Sequence, residues 1–452
     1  MFVSLLFGLL LVEAALRVAG YSYPVFYVTD SERGWALKPG VEGWYRKEGE
    51  AYVRINSDGL RDVEHSKTKP AGTLRIAVVG DSYAEALQVS LEETFWKVLE
   101  RELQACPAYS GRRVEVVNFG VSGYGTAQEL ITLRGQVRAY SPDIVLLAFT
   151  TSNDISDNSR PLKKTDDIPY FVFRDGQLAL DDSFRRSASY RLRVSVLGRL
   201  GVWLRGSSRV VQLLHHAQAA FQTNRRSMKM KADAERKKAE ADTKSTPEKS
   251  ERREKPEQLS GDATAAVRPA VASRRFALVA DGDGGGIING GDAARLANAQ
   301  ARDGGLTRAE ELGVDNAVYL EPDEEVWTNA WRVTEKLLVL MRDEAESQRA
   351  RFLVVTLSNG IQVYPEASAR EAFMQRLGIR DIFYPDRRLK AFGERERIEV
   401  FTLAPELQLY ADRNRAFLHG FGHDLGNGHW NALGHRVAGQ LVARRLCEAA
   451  SN

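Results

Sequence analysis

Five short apolar runs rich in β-branched residues recur along the chain: Arg75–Val79, Val114–Val117, Asp143–Phe149, Phe352–Leu357 and Ile398–Leu403. Each is a few residues long and bounded by Gly, Pro, Asn, Asp or Ser, which suits the buried strands of a parallel sheet. Helical patterns separate them. Ser90-Leu91-Glu92-Glu93 is a capping-box signature, and it opens a helix with Phe95, Leu99 and Leu103 on one face. Trp327, Trp331, Leu338 and Met341 form a second apolar stripe leading into the Phe352 run, and a third helix runs from about Asn431 to Ala449. Alternating strand and helix implies right-handed crossovers and an α/β three-layer sandwich around a central, mostly parallel five-stranded sheet.

The third and fourth runs lie roughly two hundred residues apart, far beyond an ordinary crossover, so the gap holds an insertion. The chain accordingly divides into an N-terminal membrane anchor or signal segment (1–20), a membrane-proximal segment packed on the core (21–70), a first part of the core (71–160), the insertion (161–322) and a second part of the core (323–452). Phe2 to Val12 is apolar, and Glu13 and Arg17 interrupt its continuation, so the run has the length of a signal core rather than of a full span. An anchored, exported chain with an extracytoplasmic main domain is the expectation, and an ordinary buried helix is the alternative. Inside the insertion, Tyr190 to Phe221 mixes Leu, Val and Trp with Arg at near-helical spacing. Such a basic amphipathic helix either lies on a membrane surface or docks on its own protein. From Arg225 to Gln258 hydrophobic residues almost vanish, leaving a solvated helix or a disordered linker.

Composition excludes little beyond nucleic acid. The net charge is +3, and the lysine-rich tract carries interleaved acids and no aromatic residues for base stacking. Cys106 and Cys447 are too few for a disulfide scaffold. They are two free thiols, or one disulfide if the chain lives outside the cytosol.

The chemistry concentrates where strands end. Gly80-Asp81-Ser82 follows the first run, Asn118-Phe119-Gly120-Val121-Ser122-Gly123 the second, and Thr151-Ser152-Asn153-Asp154 the third. His429-Trp430-Asn431 precedes the last helix. Reactive groups of an α/β sheet gather at the carboxyl ends of its strands, so one fold can bring these segments to one rim. A serine opening a helix there exposes its hydroxyl while its own N–H faces a developing oxyanion.

These four blocks, together with the upstream Asn56-Ser57-Asp58-Gly59-Leu60-Arg61-Asp62, resemble the SGNH (GDSL-type) hydrolase family and its membrane-anchored members. The resemblance covers about 75–158 and 351–449 and implies a flavodoxin-like fold and a serine esterase. Ser82 would be the nucleophile and His429 its base. The Ser82 and Gly123 N–H groups and the Asn153 amide would form the oxyanion hole, with Gly120 as the alternative to Gly123. The family's acid normally stands three residues before the histidine, where this chain has Gly426. Asp424 is the candidate orienter; a backbone carbonyl serving a Ser–His dyad is the alternative. His435 reads as structural, and His419 and His423 carry no assigned role. A zinc site from these histidines lacks the ligand spacing. The implied substrate is a carboxylic ester, such as O-acyl groups on surface glycans or lipids. An O-acetyltransferase using the same serine and a catalytically inactive binding module are the alternatives. Catalysis of this kind needs no cofactor.

A separate stretch, Asp281-Gly282-Asp283 through Gly286 and Ile288 to Asn289 and Asp292, resembles an EF-hand or dockerin-type calcium loop lacking a ligand at Gly285. Asp281, Asp283, Asn289 and Asp292 would hold Ca²⁺ and brace the insertion; a Gly-rich linker is the alternative.

Overall fold

The computed structural model describes residues 2–215, 217, 218, 221 and 314–451. The charged tract and all four candidate calcium ligands, Asp281, Asp283, Asn289 and Asp292, lie outside the described residues.

Two antiparallel hairpins open the globular part, β1 (Tyr27–Asp30) with β2 (Gly34–Leu37), and β3 (Glu42–Tyr45) with β4 (Ala51–Arg54). The central strands follow: β5 (Thr73–Gly80), β6 (Arg113–Asn118) and β7 (Ile144–Thr150). A third hairpin, β8 (Tyr170–Arg174) with β9 (Gln177–Asp181), precedes β10 (Arg351–Leu357) and β11 (Glu399–Thr402). β5, β6, β7, β10 and β11 form one sheet in the order β11-β10-β7-β5-β6, every pairing parallel. The expected five-stranded α/β sandwich is therefore present, with strand limits within about two residues of those read from the sequence.

Burial follows the pleat. Ala77 and Val79 of β5 point into one apolar layer, and Ile76 and Val78 into the other. Helices Thr126–Gly135 and Glu325–Ser347 cover the first face; Phe95–Gln104 and Ala432–Ser451 cover the second. On that second side Cys106 and Cys447 form a disulfide, which answers the choice between free thiols and a single bridge.

β6 lies on one side of β5 and β7 on the other, so chain direction across the sheet reverses between them. A crevice forms outside the carboxyl ends at such a switch point. The hairpins at 27–54 pack there through a third apolar cluster: Trp35, Val53 and Ile55 meet Leu87 from beyond β5, and Val121 and Tyr124 from beyond β6. The N-terminal segment thereby reaches the rim where the motifs converge.

Candidate active site

From Thr73 to Val89 every residue is buried except Ser82. The reason is local. Asp81 caps the short helix Ser82–Glu85 by accepting from the Tyr83 N–H at 2.9 Å, which fixes the serine at the first helical position. Gly80 permits the tight turn, since a Cβ there would lie 2.9 Å from the Ala148 carbonyl oxygen and 3.0 Å from the Ala84 Cβ.

The Ser82 hydroxyl donates to His429 Nε2 at 2.8 Å. The opposite nitrogen, Nδ1, donates at 2.5 Å to Oε2 of Glu48, a residue in the turn joining β3 to β4. Glu48 Oε1 also accepts from the His429 backbone N–H at 2.7 Å, so the carboxylate grips the histidine twice. Partial burial pushes the Glu48 carboxyl up, but the hydrogen bond and charge of His429 outweigh it and hold the group below its usual range. Gly428 makes room for this grip. Its φ is +68°, and a Cβ there would stand 2.2 Å from Glu48 Oε1.

Asp424 does not do this. It is exposed, and its carboxylate accepts from the Asn427 side chain instead. The choice of a neighbour in sequence fails because the loop before His429 turns away through Gly426 and Gly428, both at positive φ. The acid that reaches the imidazole lies 381 residues upstream. No local spacing signals it.

Buried His419 supports the same loop. Burial lowers its pKa to about 4, so the ring is neutral. Nδ1–H donates to the Gly428 carbonyl at 2.8 Å, leaving Nε2 to accept from Ser358 Oγ at 3.0 Å. Ser358 Oγ in turn accepts from Trp430 Nε1 at 2.8 Å. Residues 428 and 430 are thus pinned on either side of His429. His435 is buried against Phe95, whose N–H it accepts at Nδ1, and His423 is exposed.

The three donors expected from the sequence each follow the carboxyl end of a neighbouring strand. The Asn153 side chain gives one N–H to Asp81 Oδ2 at 3.1 Å, which fixes the orientation of its amide and leaves a second N–H. The N–H groups of Ser82 and Gly123 find no partner among the described residues. Gly120 is not equivalent. Its N–H already donates to Asn118 Oδ1, and a Cβ there would meet Ala84 Cβ at 2.5 Å, so it is a packing glycine.

The loop carrying Gly123 is clamped through Ser122. The Ser122 N–H donates to Glu85 Oε2 at 3.1 Å, and its hydroxyl donates to the same oxygen. Tyr27 adds a third donor to that oxygen at 2.8 Å, while Trp35 Nε1 donates to the Ser122 carbonyl at 3.0 Å. Burial raises the Glu85 carboxyl to about 7 against these hydrogen bonds. Nearby, burial first and then repulsion from Asp81 and Asp157 push the Glu129 and Asp154 carboxyls well up.

No family model and no curated protein matches the chain. Solved structures similar to it include LAE5, an alpha/beta hydrolase enzyme from the metagenome of Lake Arreo, Spain (10% identity, 85% of this chain and 99% of that one, TM-score 0.33). An acetyl xylan esterase, AlAXEase, matches at 9% identity over 83% of this chain and 98% of its own, TM-score 0.33. A catalytic mutant of Axe2, an acetylxylan esterase from Geobacillus stearothermophilus, matches at 10% identity over 86% of this chain and 97% of its own, TM-score 0.33. Likeness this distant carries no argument about the reaction, which must be read from the site itself.

Proposed function

We propose that this chain is a serine hydrolase acting on carboxylic esters through a Ser82 acyl-enzyme, with His429 as base and Glu48 as the acid that orients it. One observation carries the reading: the continuous hydrogen-bonded row from Ser82 Oγ through both nitrogens of His429 to Glu48, at 2.8 and 2.5 Å. Because Glu48 occupies Nδ1, the lone pair of Nε2 faces the hydroxyl. His429 takes the proton as Ser82 Oγ attacks the ester carbonyl. The N–H groups of Ser82, Gly123 and Asn153 receive the developing oxyanion, each such donor being typically worth ~10²–10³ in rate. The imidazolium then protonates the departing alkoxide. Water, deprotonated by the same nitrogen, cleaves the acyl-enzyme and restores the serine.

Glu48 on His429 supports this reading over a catalytically inactive binding module, which would need no acid on the imidazole. O-acyl groups on surface glycans or lipids are the substrates we propose, on a chain held at an extracytoplasmic membrane face. Transfer of the same acyl group to a sugar hydroxyl would use the same residues, and acetate release with and without a glycan acceptor separates the two. The test of the class is hydrolysis of a chromogenic acetyl ester. Ser82→Ala should abolish it, and undiminished turnover by that variant would rule the serine out.

A further inference from the structure

The large apolar side chains that this protein leaves in solvent are concentrated, not scattered. Among the described residues eight lie on helix Phe2–Val18 and ten between Leu192 and Phe221, against six elsewhere. Helix Val196–Ser207 holds the sharpest case. Val196, Leu197, Leu200, Trp203 and Leu204 are exposed by 72%, 74%, 48%, 61% and 39%. At 100° per residue they fall within an arc of about 120°, one face of the helix. A helix docked on its own protein would bury that face; this one turns it outward.

The face is built into the fold. Ser187 and Ser195 cap two successive helices, Ala188–Val194 and Val196–Ser207, by accepting from the Tyr190 and Gly198 N–H groups. Gly198 allows the sharp elbow between them, because a Cβ there would lie 2.2 Å from the Leu192 carbonyl oxygen. The far end is tied to the N-terminal helix by polar contacts. Glu13 accepts from Ser208 Oγ at 2.9 Å and from the Arg209 and Val210 N–H groups at 3.0 Å each. Arg17 donates to the Ser207 carbonyl at 2.6 Å. Two helices with outward apolar surfaces are therefore locked together at their ends.

Charge identifies the occupant. From Ser183 to His215 there are seven arginines and no Asp, Glu or Lys. Arg186, Arg191 and Arg199 are exposed and form no ion pair with any acid among the described residues. An apolar stripe with a tryptophan, with Arg199 on the same helix and Arg186 and Arg191 just before it in the chain, matches the boundary between acyl chains and anionic headgroups. No described helix is long and apolar enough to cross a membrane, so this contact does not require crossing. We propose that the exposed face of Val196–Ser207, joined to the N-terminal helix through Glu13, lies in the surface of an anionic phospholipid bilayer. It adds an in-plane contact beside whatever the N-terminal helix does.

Flotation of the full chain with vesicles tests this, comparing phosphatidylcholine alone with phosphatidylcholine containing phosphatidylglycerol. Leu197→Glu with Trp203→Glu should lower partitioning at least tenfold on both vesicles while leaving hydrolysis of a soluble ester intact. Arg191→Gln with Arg199→Gln should erase most of the preference for the anionic vesicle, about fivefold for each charge removed. Brominated lipids should quench less fluorescence in Trp203→Phe than in wild type. Glutamate variants that float like wild type would overturn the proposal, as would a wild-type dimer that the same variants convert to monomer.

Discussion

Replacing Glu48 by glutamine changes one atom type at the point where the account is most specific. Oε1 of the new side chain can still accept from the His429 N–H, now at 2.7 Å. The amide nitrogen would then face Nδ1, which presently donates to Glu48 Oε2 at 2.5 Å. Two donors cannot face one another, so the ring shifts its proton to Nε2, and that proton points at Ser82 where a lone pair is needed. The comparable change in a buried serine-protease triad costs about 10⁴ in kcat. Here the carboxylate is 28% exposed, and water can partly replace it. We therefore expect a fall of about 10³ in kcat/KM, or roughly 4 kcal/mol in the barrier. Glu48→Ala, which imposes no wrong tautomer, should lose less, about 10², with KM little changed in both. Steady-state hydrolysis of an acetyl ester at pH 8 measures this, with Asp424→Asn as the control. Glu48→Gln retaining more than a tenth of wild-type activity, or Asp424→Asn losing it, would refute the assignment.

Gly428→Ala should mimic loss of Glu48, since its Cβ would enter the space of Oε1 and its φ is +68°. The expected drop is at least tenfold in kcat, with the protein still folded by circular dichroism. Glu85→Ala should release Ser122 and lower kcat about tenfold or more through the neighbouring Gly123 donor. Because burial raises the Glu85 carboxyl to about 7 from 4.5, the folded state binds its proton more tightly than the unfolded state. Stability therefore declines as pH rises from 4.5 to 7. Glu85→Gln should remove that slope, gaining on the order of 3 kcal/mol at pH 8 and little at pH 4, read from denaturant midpoints. Cys106→Ala with Cys447→Ala should destabilise by about 2–5 kcal/mol and spare activity at 25 °C, because Cys106 precedes the amino end of β6 whereas Ser82 follows the carboxyl end of the parallel β5.

The central sheet was legible because both its faces are buried, which leaves dense β-branched runs in the sequence. Its rim was legible where chemistry follows a strand: Ser82 after β5, Gly123 after β6 and Asn153 after β7 lie at one switch point. The hairpins at 27–54 are visible in the sequence only as part of a segment packed on the core. Their strands are four residues long, too few to establish a period, and only β4 alternates cleanly between buried and exposed positions. That same segment carries Glu48, so the carboxylate that meets His429 is hidden for the same reason as the hairpins. The contact joins residues 48 and 429 through tertiary packing, and Asp424 drew attention only by standing near His429 in sequence. The role of His419 is likewise invisible in the sequence, because its support of Gly428 needs Ser358 from the end of β10.

Activity-based labelling tests the central claim most directly. A fluorophosphonate reacts only with a serine whose hydroxyl is activated by a base and whose neighbouring donors accept the charge that develops. Peptide mapping of the labelled full-length protein should place the adduct on Ser82, with labelling lost in Ser82→Ala and slowed at least a hundredfold in His429→Ala. An adduct on another serine, or labelling of Ser82 that proceeds unchanged without His429, would contradict the account.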